Sequence, residues 1–227
     1  MDKIFDRTIG LFGEENFNTV KDKTIAIIGL GGVGGTAFEA LVRTGVQNFV
    51  ICDFDKVDET NLNRQILFTS EDIDKSKVEI AIKRAKSINP KVKVIGIDSK
   101  VDAESVKKLS QYKIDFLVDA IDEVPAKLLL CKFVQENNIP FLMSLGMACR
   151  MKVEDVTVTK LNRTTNDPLA KKIRYQAKEM GLDISKINVV FSKENKITEG
   201  VKLNSTLFTP SAAGLNIASY VISYFIY

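Results

Sequence analysis

Glycines that join an apolar run to a helical pattern constrain this chain most strongly. The stretch from Ile25 to Gly45 reads IAIIGLGGVGGTAFEALVRTG, and Gly29, Gly31 and Gly34 follow the spacing G-x-G-x-x-G. The apolar run before them predicts a buried strand, and the residues after them predict a helix. Because the first N–H groups of a helix have no partner within it, such a turn favours an anion. The stretch therefore predicts a phosphate-binding turn.

Strand and helix patterns alternate along the first 150 residues. Apolar runs such as NFVICDFD, IDFLVDAID and PFLMSLG are separated by helical segments such as KSKVEIAIKRAKSIN and AKLLLCKFVQENN. This order predicts parallel strands with right-handed crossovers, which is an α/β, Rossmann-like, doubly wound and mostly parallel sheet. We expect residues 1–150 to form a nucleotide-binding domain.

The character of the sequence changes near residue 151. Residues 151–227 predict a C-terminal α+β extension packed on the first domain, with added strands, a basic helix (DPLAKKIRYQAKEMG) and a mobile loop (SKENKITEGVK). The run from Leu203 to Tyr227 has no charged residue, but its apolar part falls short of the about 20 residues that span a membrane. We expect a buried helix or a dimer interface there, and not a membrane contact.

The composition excludes several kinds of chemistry. The chain has no histidine, and its three cysteines, Cys52, Cys131 and Cys149, form no C-x-x-C pair. Catalysis by a Ser-His or Cys-His pair and a zinc site of histidines or cysteine pairs are therefore excluded. The cysteine pattern fits a reducing compartment, so we expect the protein in the cytoplasm. The formal charge of +3 identifies no nucleic-acid partner by itself, and we expect no DNA partner.

A carboxylate follows the second predicted strand. Asp53 lies 24 residues after Gly29, where an acidic residue commonly binds ribose hydroxyls, although an aspartate that only ends a strand is the alternative. To this point NAD and ATP fit equally. Arg64 and Lys77 then favour ATP, because a triphosphate needs fixed cations or metal while helix N–H groups largely satisfy a pyrophosphate. A solvated helix residue remains the alternative for Lys77.

Several motifs in order resemble those of the E1-like adenylating superfamily, which includes ThiF, MoeB and the ubiquitin-activating enzymes. They are GLGGVGG, DFDKVDETNLNRQ, the helix from Lys77 that ends in INP, and DAID at Asp119 to Asp122. The resemblance covers most of the chain and implies ATP-dependent adenylation of a carboxylate by residues 1–150. It implies that Asp53 binds the ribose, that Arg64 and Lys77 bind the phosphates, and that Asp122 binds Mg²⁺.

The same resemblance implies a wider nucleotide site and a homodimer. The nucleotide-binding residues are Gly29, Gly31, Gly32, Gly34, Asp53, Asp55, Asn61, Asn63, Arg64, Gln65 and Lys77. Arg7, in DRTIGLFG, matches an N-terminal arginine that reaches the γ-phosphate of ATP in the partner subunit. Arg7, Arg64, Lys77 and Asp122 are thus the implied catalytic residues. We expect Asp119 to be a structural residue at a strand end.

Further segments resemble one branch of the superfamily, the tRNA threonylcarbamoyladenosine dehydratases. They are R-x-x-x-L-F-G from Arg7, E-A-L-V-R-T-G from Glu39, N-L-N-R-Q-I from Asn61, D-P-L-A-x-K-x-R from Asp167 and V-V-F-S from Val189. This branch implies ATP-dependent cyclisation of N6-threonylcarbamoyladenosine at position 37 of tRNA through an acyl-adenylate. Because the ring closure is intramolecular, it is favoured entropically and needs no enzyme nucleophile.

A tRNA substrate requires a basic surface, and the predicted basic helix is the candidate. Its residues Lys171, Lys172 and Arg174 are predicted to contact tRNA phosphates. Lys178 on the same helix is a further candidate for this contact, and Arg150, Lys152 and Arg163 are basic residues nearby in sequence. An ordinary exposed amphipathic helix is the alternative.

Other functions stay open at this level. The main alternative is an adenylyltransferase or sulfurtransferase-type activator of a small ubiquitin-like sulfur-carrier protein, although the C-x-x-C pairs common in that group are absent. An NAD oxidoreductase is disfavoured by the Asn-Arg-Gln run and by the lack of histidine. Cys149 is either passive or a nucleophile. A protein of the cysteine-desulfurase system is a further candidate partner.

Overall fold

A single sheet runs through the residues that the computed structural model describes, which are 3–197 and 204–227. Its strands are β1 Thr24–Ile28, β2 Asn48–Asp53, β3 Lys93–Asp98, β4 Phe116–Asp119, β5 Phe141–Ser144, β6 Val156–Lys160 and β7 Asn188–Ser192. Their order is β3-β2-β1-β4-β5-β7-β6, and every neighbouring pair is parallel except β6 with β7. The chain moves outward from β1 in both directions, which confirms the predicted doubly wound, mostly parallel α/β fold.

Helices cover both faces of this sheet. Those in the described ranges are α1 Asp6–Phe12, α2 Glu14–Lys21, α3 Gly32–Thr44, α4 Lys77–Ile88, α5 Ala103–Leu109, α6 Val124–Glu136, α7 Pro168–Glu179 and α8 Phe208–Ile226. Residues of α3, α4 and α8 pack on one face, and residues of α5, α6 and α7 pack on the other. In β1, Ile25 and Ile27 join the first core while Ala26 and Ile28 join the second, because successive strand residues point to opposite faces. Burial of both faces explains the nearly continuous apolar runs.

Residues after position 150 extend the same sheet. The strand β7 pairs in parallel with β5, and β6 pairs antiparallel with β7 at the edge. The predicted basic helix is α7, whose N-cap Asp167 accepts a hydrogen bond from the Ala170 N–H. Of the predicted loop SKENKITEGVK, residues 198–202 lie outside the described residues. The division into 1–150 and 151–227 stays a prediction.

The uncharged C-terminal run forms α8, which packs in the core. Its residues Ile217 and Val221 are fully buried, and a Cβ placed on Gly214 would lie 2.6 Å from the carbonyl oxygen of Val33 in α3. The expectation of a buried helix is therefore confirmed. Within 3–197 and 204–227, no helix is long and apolar enough to cross a membrane.

A buried ion pair fastens α6 to the carboxyl ends of β4 and β5. The Lys127 ammonium donates to Asp119 Oδ1 at 2.9 Å and to the carbonyl oxygen of Ser144 at 2.8 Å, and both charged side chains are fully buried. Burial raises the pKa of the Asp119 carboxyl above its ordinary value, although Lys127 opposes that effect. The structural role expected for Asp119 is confirmed.

Replacing Lys127 should destabilise the fold strongly. We expect Lys127→Ala to lower the free energy of unfolding by about 3–5 kcal/mol, because Asp119 would be left buried without its counter-charge. The control is Lys132→Ala on the same helix, which removes an exposed ion pair with Glu136 at 3.8 Å and should cost less than about 1 kcal/mol. Urea denaturation measures both values. Equal losses in the two variants would contradict this account of the pair.

Candidate active site

The carboxyl ends of β1, β2 and β4 border a cavity of about 340 Å³. Ligands of doubly wound sheets bind at this edge, where the strand order reverses between β1 and β4. The predicted site residues that line the cavity are Gly29, Gly31, Gly32, Asp53, Asp55, Asn61, Arg64, Gln65, Lys77 and Asp122. The structure therefore brings together residues that lie far apart in the sequence.

The glycines of the turn have different roles. Gly29 has a φ of +92°, and a Cβ there would lie 2.8 Å from the carbonyl group of Ala120, just beyond β4. A Cβ on Gly34 would overlap the carbonyl oxygen of Gly29, so Gly34 serves the packing of α3 against the end of β1 and does not line the cavity. Gly31 caps α3 without any side-chain hydrogen bond. The first N–H groups of α3 are thus available to an anion.

Asp53 links the glycine turn to the segment after β2. Its Oδ2 accepts a hydrogen bond from the Leu30 N–H at 2.6 Å, and its Oδ1 accepts one from the Asp55 N–H at 2.8 Å. Each carboxylate oxygen has a second lone pair, so ribose hydroxyls can donate to the same group. Asp53 therefore holds the turn in shape as well as lining the cavity.

Lys77 is the first residue of α4, and it is only 4% exposed. Its ammonium forms an ion pair with Asp55 Oδ2 at 2.8 Å, and its backbone N–H donates to the Asp55 carbonyl at 3.0 Å. The alternative of a solvated helix lysine is therefore wrong. A buried ammonium that lines the cavity is suited to an anionic ligand.

The segment from Glu59 to Gln65 forms another wall of the cavity. A short 3-10 helix at Glu59–Asn61 is capped by Asp58, and the Arg64 guanidinium donates to the Thr60 carbonyl at 2.6 Å. Gln65 is buried, and its Oε1 has no hydrogen-bond partner among the described residues. An unpaired buried amide oxygen beside a cavity is typical of a group that pairs with a ligand or a water molecule.

Asp122 lies at the rim of the cavity and is exposed. It follows β4 by three residues, whereas Asp119 ends that strand and is paired with Lys127. Of the two aspartates in DAID, only Asp122 is therefore open to a ligand. Carboxylate oxygens of this kind suit Mg²⁺, which commonly uses one or two protein carboxylates together with phosphate oxygens.

Two further predicted residues lie away from the cavity of their own chain. Arg7 is exposed on α1 and does not line it. Asn63 is exposed, and its side-chain amide donates to the carbonyl of Ser205 at 3.0 Å. Direct nucleotide contacts by both residues stay predictions.

Sequence reasoning missed part of the lining. The additional side chains include Phe54, Ser99, Lys100, Val101, Ile121 and Glu123. The Lys100 ammonium lies 4.6 Å from the centroid of the Phe54 ring, which is a cation–π contact between the loops after β2 and β3. Residues after β3 are predictable from its register, because Asp98 pairs with Asp53 and the two strands end together. The rule that ligands bind beyond the carboxyl ends of the strands, which selected Asp53, would also have selected the residues after β3.

Cys52 and Cys131 show no sign of activation. Cys52 lines the cavity, but burial raises the pKa of its thiol to about 12, and the thiol donates to the Ser99 carbonyl. Burial also raises the pKa of Cys131. Cys149 is buried as well and has a φ of +60°. Thiols of this kind are mostly protonated at neutral pH, which argues against Cys52 and Cys131 as nucleophiles.

The predicted basic residues of the extension differ in their exposure. Lys171 and Lys172 are exposed on α7, whereas the Arg174 guanidinium donates to Thr164 and to the Leu161 carbonyl within the chain. RNA contact by all three stays a prediction. Arg150, which lies near the basic helix in sequence, is 2% exposed and so is not available to RNA. Its guanidinium donates hydrogen bonds to the carbonyl oxygens of Gly146 and Glu194, and its Nη2 lies 3.6 Å from Asp167 Oδ2.

Known proteins resemble this chain over nearly its whole length and not only at the cavity. The tRNA threonylcarbamoyladenosine dehydratase of Bacillus subtilis is 31% identical over an alignment of 236 positions that covers 96% of this chain and 92% of that protein. The crystal structure of Escherichia coli tRNA N6-threonylcarbamoyladenosine dehydratase, TcdA, in complex with ATP matches with a TM-score of 0.92 and 30% identity. That match covers 97% of this chain and 93% of the E. coli chain.

Sulfur-carrier enzymes match over a much smaller part. The sulfur carrier protein adenylyltransferase of Thermus thermophilus is 31% identical over 118 residues, which cover 52% of this chain and 43% of that protein. The sequence profile of the ThiF family matches residues 5–187, from α1 to the start of β7. The glycine turn, Asp53, Lys77 and Asp122 all lie inside this range. The chain therefore belongs to the ThiF family.

Proposed function

We propose that this enzyme uses ATP to cyclise N6-threonylcarbamoyladenosine at position 37 of tRNA. The carboxylate of the threonyl group attacks the α-phosphate of ATP, which forms an acyl-adenylate and releases pyrophosphate. A nitrogen of the same modified base then attacks the activated carbonyl, which closes a five-membered ring and releases AMP. The proposal rests on the match, over nearly the full length of both chains, to the Escherichia coli tRNA N6-threonylcarbamoyladenosine dehydratase crystallised with ATP.

The lining of the cavity supports the adenylation step. Negative charge develops on the leaving pyrophosphate, so fixed cations and helix N–H groups at that position stabilise the transition state. Arg64, Lys77 and the start of α3 are such groups in the cavity. Lys77 is held by Asp55 at 2.8 Å before any phosphate binds, so its charge is already in position. The Asp53 carboxylate would accept hydrogen bonds from the ribose hydroxyls.

Magnesium belongs to the proposal because the residues present fit it. Asp122 is an exposed carboxylate at the cavity rim, and its neighbour Asp119 is committed to Lys127. The part of the chain that the structure describes contains no cluster of three metal-binding side chains, which agrees with a cation held mainly by phosphate oxygens and one aspartate. When bound, Mg²⁺ would supply positive charge to the phosphates.

The second step needs no covalent help from the protein. The attacking nitrogen and the activated carbonyl belong to one nucleotide, and such intramolecular reactions have high effective concentrations. The protonated thiols of Cys52 and Cys131 agree with this scheme. The NAD hypothesis has no support from the family, and the sulfur-carrier hypothesis rests on partial matches alone.

The proposal includes a homodimer in the cytoplasm, where tRNA is modified. As the resemblance to the family implies, each ATP would be contacted by Arg7 of the partner subunit; Arg7 does not line the cavity of its own chain. A protein of the cysteine-desulfurase system remains a candidate partner.

Mass spectrometry of tRNA nucleosides tests the function directly. In cells that lack this gene, cyclic threonylcarbamoyladenosine should disappear and the open form should accumulate. Purified enzyme with ATP and Mg²⁺ should convert the open form in tRNA. Unchanged cyclic nucleoside would refute the proposal, and ATP–pyrophosphate exchange that requires a Gly-Gly-tailed carrier protein would favour the alternative function.

Loss of the Asp122 carboxylate should abolish turnover. We expect Asp122→Ala to reduce the rate of cyclisation by at least about 100-fold. Without this carboxylate, the Mg²⁺ that would neutralise the charge on the phosphates loses its protein ligand. The control is Glu136→Ala, which removes an exposed carboxylate from the far end of α6. Product formation at saturating ATP and tRNA measures the effect. Full activity of Asp122→Ala would contradict its assignment.

Mixing two inactive variants tests the shared site. Arg7→Ala and Asp122→Ala should each be inactive as homodimers, whereas a mixed dimer contains one site with both residues intact. If subunits exchange randomly, an equal mixture should recover about a quarter of wild-type activity in a two-fold symmetric dimer. Cyclisation assays after co-refolding measure the recovery. No recovery in verified mixed dimers would contradict action in trans.

The role of Cys149 is open to a simple test. We expect Cys149→Ser to retain activity within about threefold, because serine keeps the size of the side chain at a position with φ of +60°. Thermal unfolding shows whether the variant is folded. A folded variant that forms acyl-adenylate but no cyclic product would instead assign a covalent step to Cys149.

A further inference from the structure

The outer face of α7 is built around an exposed aromatic ring. Ala170, Ile173 and Ala177 are fully buried and face the core. At about 100° per residue, Tyr175 lies about 200° around the helix from Ile173 and so points directly away from the core. Its side chain is 65% exposed. An aromatic residue in this position contributes nothing to the core that the helix covers.

Three lysines and one glutamate, Glu179, are neighbours of this ring on the helix surface. Lys171 and Lys172 precede Tyr175 by four and three residues, and Lys178 follows it by three, so all three are its neighbours on the helix surface. All three are exposed. In the part of the chain that the structure describes, the three lysines make no ion pair and Tyr175 makes no ring contact or hydrogen bond. Within the described residues, these four side chains therefore have no charged or aromatic partner.

The helix that carries them is firmly held. Asp167, its N-cap, lies 3.6 Å from the buried Arg150 guanidinium, and Arg174 on its side donates to Thr164 and the Leu161 carbonyl. A Cβ placed on Gly146, just after β5, would lie 3.9 Å from Asp167 Oδ2. The first turn of α7 is thus at the carboxyl edge of the sheet, the edge that also borders the nucleotide cavity, and Tyr175 lies about 12 Å further along the helix axis.

We propose that Tyr175, with Lys171, Lys172 and Lys178, forms the surface that binds the anticodon loop of the substrate tRNA. The tyrosine ring stacks on an unpaired base, and the lysines contact the adjacent phosphates. Single-stranded loops are the part of RNA whose bases are open to stacking, and lysines around an aromatic ring match a chain of phosphates and bases. The proposal rests on the proposed function, because that function supplies the RNA substrate. Arg150 and Arg174 are positioning residues that hold the helix.

Binding of a labelled anticodon stem–loop RNA, followed by fluorescence anisotropy, tests the surface without any chemical step. We expect Tyr175→Ala to raise the Kd about tenfold and Tyr175→Phe to leave it within about twofold, because phenylalanine keeps the stacking surface. The double variant Lys171→Gln with Lys172→Gln should weaken binding and reduce the slope of log Kd against log salt by about 1.4.

A matched control removes the same charge elsewhere. Lys83→Gln with Lys86→Gln changes two exposed lysines of α4, which packs on the opposite face of the sheet, and should leave the Kd unchanged. The KM for ATP should be unaltered in every variant. Equal RNA affinity of Tyr175→Ala and wild type, equal losses in the two double lysine variants, or no RNA binding by the wild type would overturn the proposal.

Turnover separates this proposal from the proposed function. If wild type cyclises the nucleoside in tRNA while Tyr175→Ala has an unchanged Kd and KM for RNA, only the α7 surface is refuted. If wild type binds the stem–loop through Tyr175 but never forms the cyclic product, the binding surface stands and the proposed reaction fails.

Discussion

Close contact between α3 and the ends of β1 and β4 is the constraint on which the site depends. A Cβ on Gly34 would overlap the carbonyl oxygen of Gly29, and a Cβ on Gly29 would lie 2.8 Å from the carbonyl of Ala120. Only glycine allows the backbones to approach so closely. The approach places the free N–H groups of α3 at the edge where β2 and β4 deliver Asp53 and Asp122. The proposed phosphate, ribose and metal contacts thus share one packing requirement.

Two lysine–aspartate pairs near that edge differ in what they permit. Lys127 and Asp119 are both completely buried, so this pair is closed to ligands and serves the fold. Lys77 is also buried, but the Asp55 side chain is 47% exposed, and both residues line the cavity. The Lys77 ammonium therefore lies beside the cavity with its charge already balanced by the Asp55 carboxylate. The same pair of residue types holds the sheet together in one place and prepares a ligand site in the other.

Much of the fold and part of the site were predictable because their signals are local. Apolar runs and helical periods identified the strands and helices, the strand-end rule selected Asp53, and the family resemblance selected Asp122. Other features depend on distant partners. Nothing around Arg150 in the sequence indicates that its guanidinium contacts Asp167 and the Glu194 carbonyl. Nothing near Lys77 in the sequence shows that it forms an ion pair with Asp55. The Phe54 and Lys100 contact likewise joins two loops that are separate in the sequence.

By itself, the sequence determined the doubly wound sheet, the glycine turn that joins β1 to α3 and the absence of histidine or paired-cysteine chemistry, because periodicity, glycine spacing and composition are properties of short segments or of the whole chain. Only the tertiary structure decided which charged residues are free to act. Lys171 and Arg174 are three residues apart, yet one is exposed and the other is bound to Thr164, while Tyr175 is exposed on the outer face. Exposure and pairing depend on which elements meet in space, and no local pattern encodes that.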